Sequence, residues 1–256
     1  MAIWQDPRST AERSGGVNAA TVGVPRAARD AGLRSYMLSV YNYMASGVLL
    51  TGIIALGIAN SSLINLVATA SPAGGVQPTM LGWLAIFAPL AIVFGLSFGI
   101  NRMSASTAQG LYWLYAALVG VQFSTLFLVY TGVSIAQTFF AVSAAFLGLS
   151  LWGYTTKRDL SGMGTFLIMG VVGLLVAMLI NIFLRSPALD LAVSAIGVLL
   201  FAGLTAYDTQ KIKSIYFAVA GNGEAMAKTA VMGALKLYLD FINMFLFLLR
   251  FMGDRR

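Results

Sequence analysis

Seven apolar stretches of about twenty residues follow one another along this chain, at 38–59, 80–100, 110–131, 134–156, 162–184, 189–209 and 230–251. A helix rises ~1.5 Å per residue, so about twenty apolar residues cover the ~30 Å hydrocarbon core of a bilayer. The polar breaks are short, the longest being 60–79 and 210–229. They leave no room for a large soluble domain. Of the 256 residues only 10% are charged and 59% are hydrophobic. Soluble domains carry about 25% charged residues, so this chain cannot cover a water-facing surface and lipid must be its solvent. The predicted fold class is an all-α integral membrane protein with seven transmembrane helices.

Residues 1–35 are polar and contain Gly15-Gly16, Pro25 and five arginines. They read as a disordered cytoplasmic tail ahead of a transmembrane domain at 36–256. The first apolar run begins too late, and is too long, for a cleaved signal peptide. With the tail inside, the inner face receives Arg8, Arg13, Arg26, Arg29, Arg34, Arg102, Lys157, Arg158, Lys211, Lys213 and Lys228. The outer face receives Arg185, Arg250, Arg255 and Arg256. This asymmetry follows the positive-inside rule, so the net charge of +7 is assigned to topology and not to nucleic-acid binding. The three arginines at the C-terminus fit a full seventh crossing less well than a re-entrant one; seven crossings are the favoured reading. Gly95 and Gly99, and Gly170 and Gly173, are expected to let helices approach closely.

Two acids fall within or beside the last two apolar stretches: Asp208 in FAGLTAYDTQKI and Asp240 in LKLYLDFINMFLFLL. A charged side chain at the bilayer centre costs from a few to more than ten kcal/mol. Most of the other acids lie in loops or tails. The short connection makes spans six and seven neighbours, which can place both carboxyls at similar depth toward the inner face. Lys236 precedes Asp240 by one helical turn and shares its face. One reading pairs each Asp with a Lys or Arg, as a pin between helices. The other is a coupled carboxylate pair, sensitive to pH because two close carboxyls cannot both ionise cheaply. With no His and no Cys in the chain, imidazole and thiolate chemistry are excluded, and this pair is the route to a response near neutral pH. Ionised, the same oxygens suit Ca²⁺, with waters or carbonyls completing its six to eight ligands. Arg102, at the inner end of span two, reads as an anchor or as a counter-charge to the pair. Asn243 lies one turn beyond Asp240. Arg250 ends span seven, where an interfacial anchor is the simpler reading.

The strings LTAYDTQKIKSIY (204–216) and GALKLYLDFINMFLFLLR (233–250), with GLRSYMLSVYNYMASGVLLTG (32–52), resemble the Bax inhibitor-1 family, and its bacterial members in particular. The resemblance implies a seven-helix fold whose last helix is central and wrapped by the other six. It implies a pH-sensitive Ca²⁺ leak across the bacterial inner membrane, with no catalysis and no cofactor beyond the transported Ca²⁺. The family's di-aspartyl sensor falls on Asp208 and Asp240, its span-two latch arginine on Arg102 and its span-seven arginine on Arg250. Some members pair that last arginine with an acid in span two; here span two has none. Two other functions compete. Tyr207-Asp208 with a second Asp in the next span is similar to intramembrane aspartyl proteases, although LYLD replaces their GxGD. The arginine-bearing tail could instead contact another membrane protein, since some bacterial relatives are taken to modulate a membrane-bound ATP-dependent protease.

Overall fold

The computed structural model describes residues 26–70 and 76–255. Seven long helices carry the chain: α1 (Arg26–Ala59), α2 (Met80–Gly99), α3 (Ala105–Phe123), α4 (Gly132–Thr155), α5 (Ser161–Leu184), α6 (Pro187–Val219) and α7 (Gly223–Met252). All seven are long and apolar enough to cross a membrane. Single helical turns at Ile64–Val67 and Leu126–Val129 interrupt two of the connections. Serine, threonine and asparagine start the helices where they should. Thr79, Ser104, Thr131, Ser186 and Asn222 each accept a backbone N–H of the first turn, satisfying a donor that has no intrahelical partner.

Two expected breaks are largely structured. The 60–79 connection contains a small antiparallel pair, β1 (Ala68–Ala70) and β2 (Val76–Pro78), with Ala68 opposite Pro78. The 210–229 break is helical apart from Ala220–Asn222, because α6 and α7 run on past their apolar portions. Gly221, at φ +95, makes the tight reversal that a side chain would resist. The tail boundary also moves. Residues 26–35 are the first turns of α1, and residues 1–25, the remainder of the expected tail, lie outside the described residues. Nothing between Arg26 and Leu38 breaks a helix, so it propagates beyond the apolar run. At 33 residues, α6 is about 50 Å long, well beyond a ~30 Å hydrocarbon core. The start of α1, the end of α6 and the start of α7 therefore project together from one face, where the rings of Tyr36 and Tyr216 lie 5.6 Å apart and Arg29 sits 5.7 Å from the Phe217 ring.

The opposite face carries the end of α7. Asp254 N–H donates to Ser134 Oγ at 3.0 Å, and Thr131 N–H donates to the Asp254 carbonyl at 3.1 Å. The last residues are thus held at the start of α4, and Arg250 reaches Asp190 at the start of α6. The seventh helix crosses fully and does not re-enter.

α7 is the most enclosed helix: 67% of its apolar window is buried, against 11% for α5. It packs against α1, α3, α4 and α6, whereas α2 docks mainly on α3, and α5 on α6. Four helices rather than six carry the main contacts with it. The outer surface is a belt of exposed large apolar side chains, among them Phe98, Phe140, Phe166, Phe183 and Leu199. An apolar surface of that extent is stable only against lipid.

Close helix approach occurs at one of the expected glycines and at others that were not expected. Gly95 and Gly173 face open space. Gly170 does pack, against Leu200 of α6. The tightest interhelical positions include Gly153, where a Cβ would overlap the backbone of Ala206, and Gly197, where it would meet the Phe247 ring. Gly153→Val is therefore expected to push α4 off α6 two residues from Asp208. It should cost about 1–3 kcal/mol, read as a lowered unfolding temperature in detergent. Gly95→Val, at an open position, should leave that temperature within about 1 °C.

Candidate functional site

Asp208 and Asp240 come from the two helices joined by the Gly221 reversal. Counting outward from Gly221, Asp208 is 13 residues back and Lys236 is 15 residues forward, or about 20 and 22 Å along antiparallel helices. They are level, and Lys236 Nζ lies 3.4 Å from Asp208 Oδ1. Asp240 is about 6 Å deeper, one further turn of α7, so the two carboxyls are staggered rather than opposite. Both are buried, at 8% and 4% exposure. Asp240 lies within coulombic range of Asp208 and Lys236. No hydrogen bond joins the two carboxyls, and Asp240 Oδ2 is buried with no hydrogen-bond partner.

Lys211 and Lys213 follow Asp208 in sequence but turn elsewhere. Lys211 Nζ sits 5.6 Å from the Tyr207 ring. Lys213 Nζ donates to the Tyr154 carbonyl at 2.7 Å, capping the last turn of α4, where the helix dipole favours a cation. Gln210 grips the α4–α5 connection, donating to the Arg158 carbonyl and accepting from Leu160 N–H at 2.8 and 2.9 Å. One residue beyond Asp208, Thr209 Oγ1 lies 3.0 Å from Ser150 Oγ, which lies 2.7 Å from Tyr41 Oη. This hydroxyl chain ties α1, α4 and α6 together. The backbone carrying Asp208 is held from several sides, and among the described residues Lys236 alone is its counter-ion.

Arg102 is not brought to the pair. It is exposed in the turn after α2, where its N–H donates to the Gly99 carbonyl at 2.8 Å, and it enters no ion pair among the described residues. The position expected of it belongs to Lys236. α2 docks on α3 rather than on α6 or α7, which removes its loop from the aspartates. Asn243 is not a supporting group either, since its amide donates to the Leu239 carbonyl of its own helix at 2.8 Å. Arg250 does find an acid, in span six rather than span two: its Nη1 lies 3.7 Å from Asp190 Oδ1. Lys236 was legible as the residue one turn before Asp240, but the sequence alone does not separate it from Lys211 and Lys213.

The Arg250–Asp190 pair ties the far ends of α6 and α7, with both side chains 36% exposed. Asp190→Asn is expected to lower stability by no more than about 1 kcal/mol, read as the unfolding temperature in detergent. A larger loss would show that this link carries more of the α6–α7 packing than an exposed ion pair does.

Residues 33–256 match the family model described as inhibitor of apoptosis-promoting Bax1. The chain belongs to this Bax inhibitor-1 family. An uncharacterized protein of Rickettsia prowazekii is 50% identical over 89% of this chain and 92% of its own length. An uncharacterized protein of Caulobacter vibrioides is 46% identical, over 89% and 91%. The inner membrane protein YbhL of Escherichia coli is 45% identical, over 88% and 94%. Membership of the Bax inhibitor-1 family and seven apolar crossing helices agree that this is an integral membrane protein. Among its described residues, no group of three or more His, Cys, Asp or Glu side chains is placed to hold a metal. The polar cluster in this member of the Bax inhibitor-1 family is two carboxyls, one with an unpartnered oxygen, and a lysine. An aspartyl protease needs two carboxyls sharing a proton. Here one is engaged by a lysine and the two are staggered.

Proposed function

We propose that this protein is a pH-gated calcium leak pathway of the bacterial inner membrane, with its N-terminus in the cytoplasm. In this reading it is not an enzyme. Asp208, Lys236 and Asp240 form one site for a proton or a passing cation. The observation that carries the reading is the buried, unpartnered Asp240 Oδ2 beside the half-sheltered Asp208–Lys236 ion pair. A buried polar atom left without a partner costs about 1–3 kcal/mol, and intramembrane acids are retained where they serve an ion path or proton relay.

With both carboxyls ionised the cluster carries a net charge of −1, and one proton makes it neutral. Lys236 holds Asp208 across the α6–α7 seam, where an entering cation would sit. A hard cation such as Ca²⁺ takes oxygens and six to eight of them. Two carboxylates supply at most four, so water and carbonyls must complete the shell. Such a site suits an ion in passage better than a resident one, since conduction requires binding weak enough to release. Protonation of the carboxylate pair lowers its negative charge, weakens the tie to Lys236 and opens the seam. Calcium flux therefore rises as pH falls, while affinity for the cation falls. The excess of Lys and Arg on the face carrying the Gly221 reversal supports the cytoplasmic assignment, and YbhL, named an inner membrane protein, supports the compartment.

Calcium flux into proteoliposomes between pH 6 and 8 tests this. Wild-type flux should depend on pH. Asp208→Asn should be permanently untied and flatten that dependence; Asp240→Asn should lose flux. Equal, pH-independent flux in wild type and both variants would sink the reading. Arg102→Gln is expected to behave as wild type.

A further inference from the structure

A groove of about 710 Å³ runs between α1 and α4, with Phe241 of α7 in its wall. Its two ends differ in chemistry. Toward the face carrying the Gly221 reversal it is lined by Arg34, Tyr41, Ser150 and Tyr154; deeper, Ser143 apart, it is lined by apolar groups such as Met44, Val48, Phe139 and Phe146. No acid lines it. Asp30, one turn before Arg34, forms no ion pair with it. A second cation stands behind Tyr154: Lys213 Nζ lies 5.0 Å from that ring.

The dimensions choose among occupants. Arg34 to Val48 spans 14 residues of α1, or about 21 Å. One leaflet with its headgroup layer is about 20–22 Å thick. Phe139, Phe241 and Val48 also line a separate cavity of about 340 Å³ that continues toward the other face, so the seam is partitioned at mid-membrane. A cationic mouth, a hydroxyl-lined neck and an apolar floor one leaflet deep describe a site for an amphiphile.

We propose that this groove binds one anionic phospholipid from the leaflet on the side of the Gly221 reversal. The Arg34 guanidinium takes the phosphate in charge-assisted hydrogen bonds, the Tyr41 and Ser150 hydroxyls lie at glycerol level, and an acyl chain lies along Met44, Val48 and Phe146. The lipid fills the seam between α1 and α4, two helices otherwise joined here through the Tyr41–Ser150 hydrogen bond.

Full-length protein in detergent, titrated with phosphatidylglycerol or phosphatidylcholine of identical chains and read by native mass spectrometry, tests it. Phosphatidylglycerol should bind about fivefold more tightly, the effect of one favourable cation near the headgroup. Arg34→Gln should equalise the two lipids. Ala45→Trp, which fills the groove without touching Arg34, should weaken both, with unfolding temperatures confirming folded protein. Equal affinity for the two lipids in wild type overturns the proposal, as does unchanged phosphatidylglycerol binding in Ala45→Trp. A photo-crosslinker at position 45 should capture lipid in membranes; capture of a polypeptide would assign the groove to a partner helix instead.

Discussion

Lys236→Gln should raise calcium flux at neutral pH to the level that wild type reaches only in acid, and should flatten its pH dependence. The ammonium lies 3.4 Å from Asp208, with side-chain exposures of 41% for Lys236 and 11% for Asp208. Exposed pairs contribute less than about 1 kcal/mol, and breaking a fully buried pair costs about 3–5 kcal/mol. This half-sheltered pair belongs between, at about 1–2 kcal/mol, which shifts a tied-to-untied ratio roughly five- to thirtyfold. The two untied variants differ in cation binding. Lys236→Gln leaves two acids with no competing lysine, and should bind Ca²⁺ more tightly than wild type. Asp208→Asn leaves one acid and a lysine, and should bind it more weakly. A lysine that only pins α6 to α7 would, when replaced, lower the unfolding temperature and leave calcium affinity and the pH profile where they were. That outcome would remove Lys236 from the gate.

Asp240→Leu is expected to make the protein more stable and to abolish its calcium flux. Asp240 is 4% exposed, its Oδ2 has no partner, and Tyr238 and Phe241 beside it on α7 are buried. Removing a buried polar atom that has no partner recovers its desolvation cost of about 1–3 kcal/mol, and a domain of this size gains about 2–4 °C in unfolding temperature per kcal/mol. Leucine has no oxygen for a cation or a proton, so transport is lost as stability is gained, the trade expected of a site held in a costly state. If the variant is less stable, Asp240 has polar partners, such as bound water, that give it a structural role, and the argument from an unpartnered oxygen fails. Asp240→Asn, keeping shape but not charge, separates packing from ionisation.

Both predictions rest on a cluster that was only half legible beforehand. Asp208 and Asp240 stand out in the sequence because lipid makes every charge conspicuous. The lysine at i−4 from Asp240 follows from helical periodicity. What could not be read was the stagger. The 210–229 segment looks like a loop, so the register of α6 against α7 could not be counted until Gly221 emerged as the sole reversal between two continuous helices. That register sets Lys236 level with Asp208 and Asp240 a turn deeper. Arg102 illustrates the opposite case. It does follow the end of span two, but depth in the membrane says nothing about which helices are neighbours, and α2 lies against α3. Gly95 and Gly99 show the same limit. Their spacing permits close packing but names no partner, and Gly95 faces open space.

The sequence by itself determined that this chain lives in lipid, crosses it seven times and carries two acids where acids are expensive. Those follow from composition and helical rise, properties of each segment alone. Tertiary structure decided which helices touch, and with that the counter-ion of Asp208, the isolation of Asp240, the acid that meets Arg250 and the groove beside Arg34. In a bilayer the apolar exterior of every helix is equally content against lipid or protein. Helix neighbours are therefore chosen by small residues, polar contacts and steric fit between particular faces, which one-dimensional patterns do not encode.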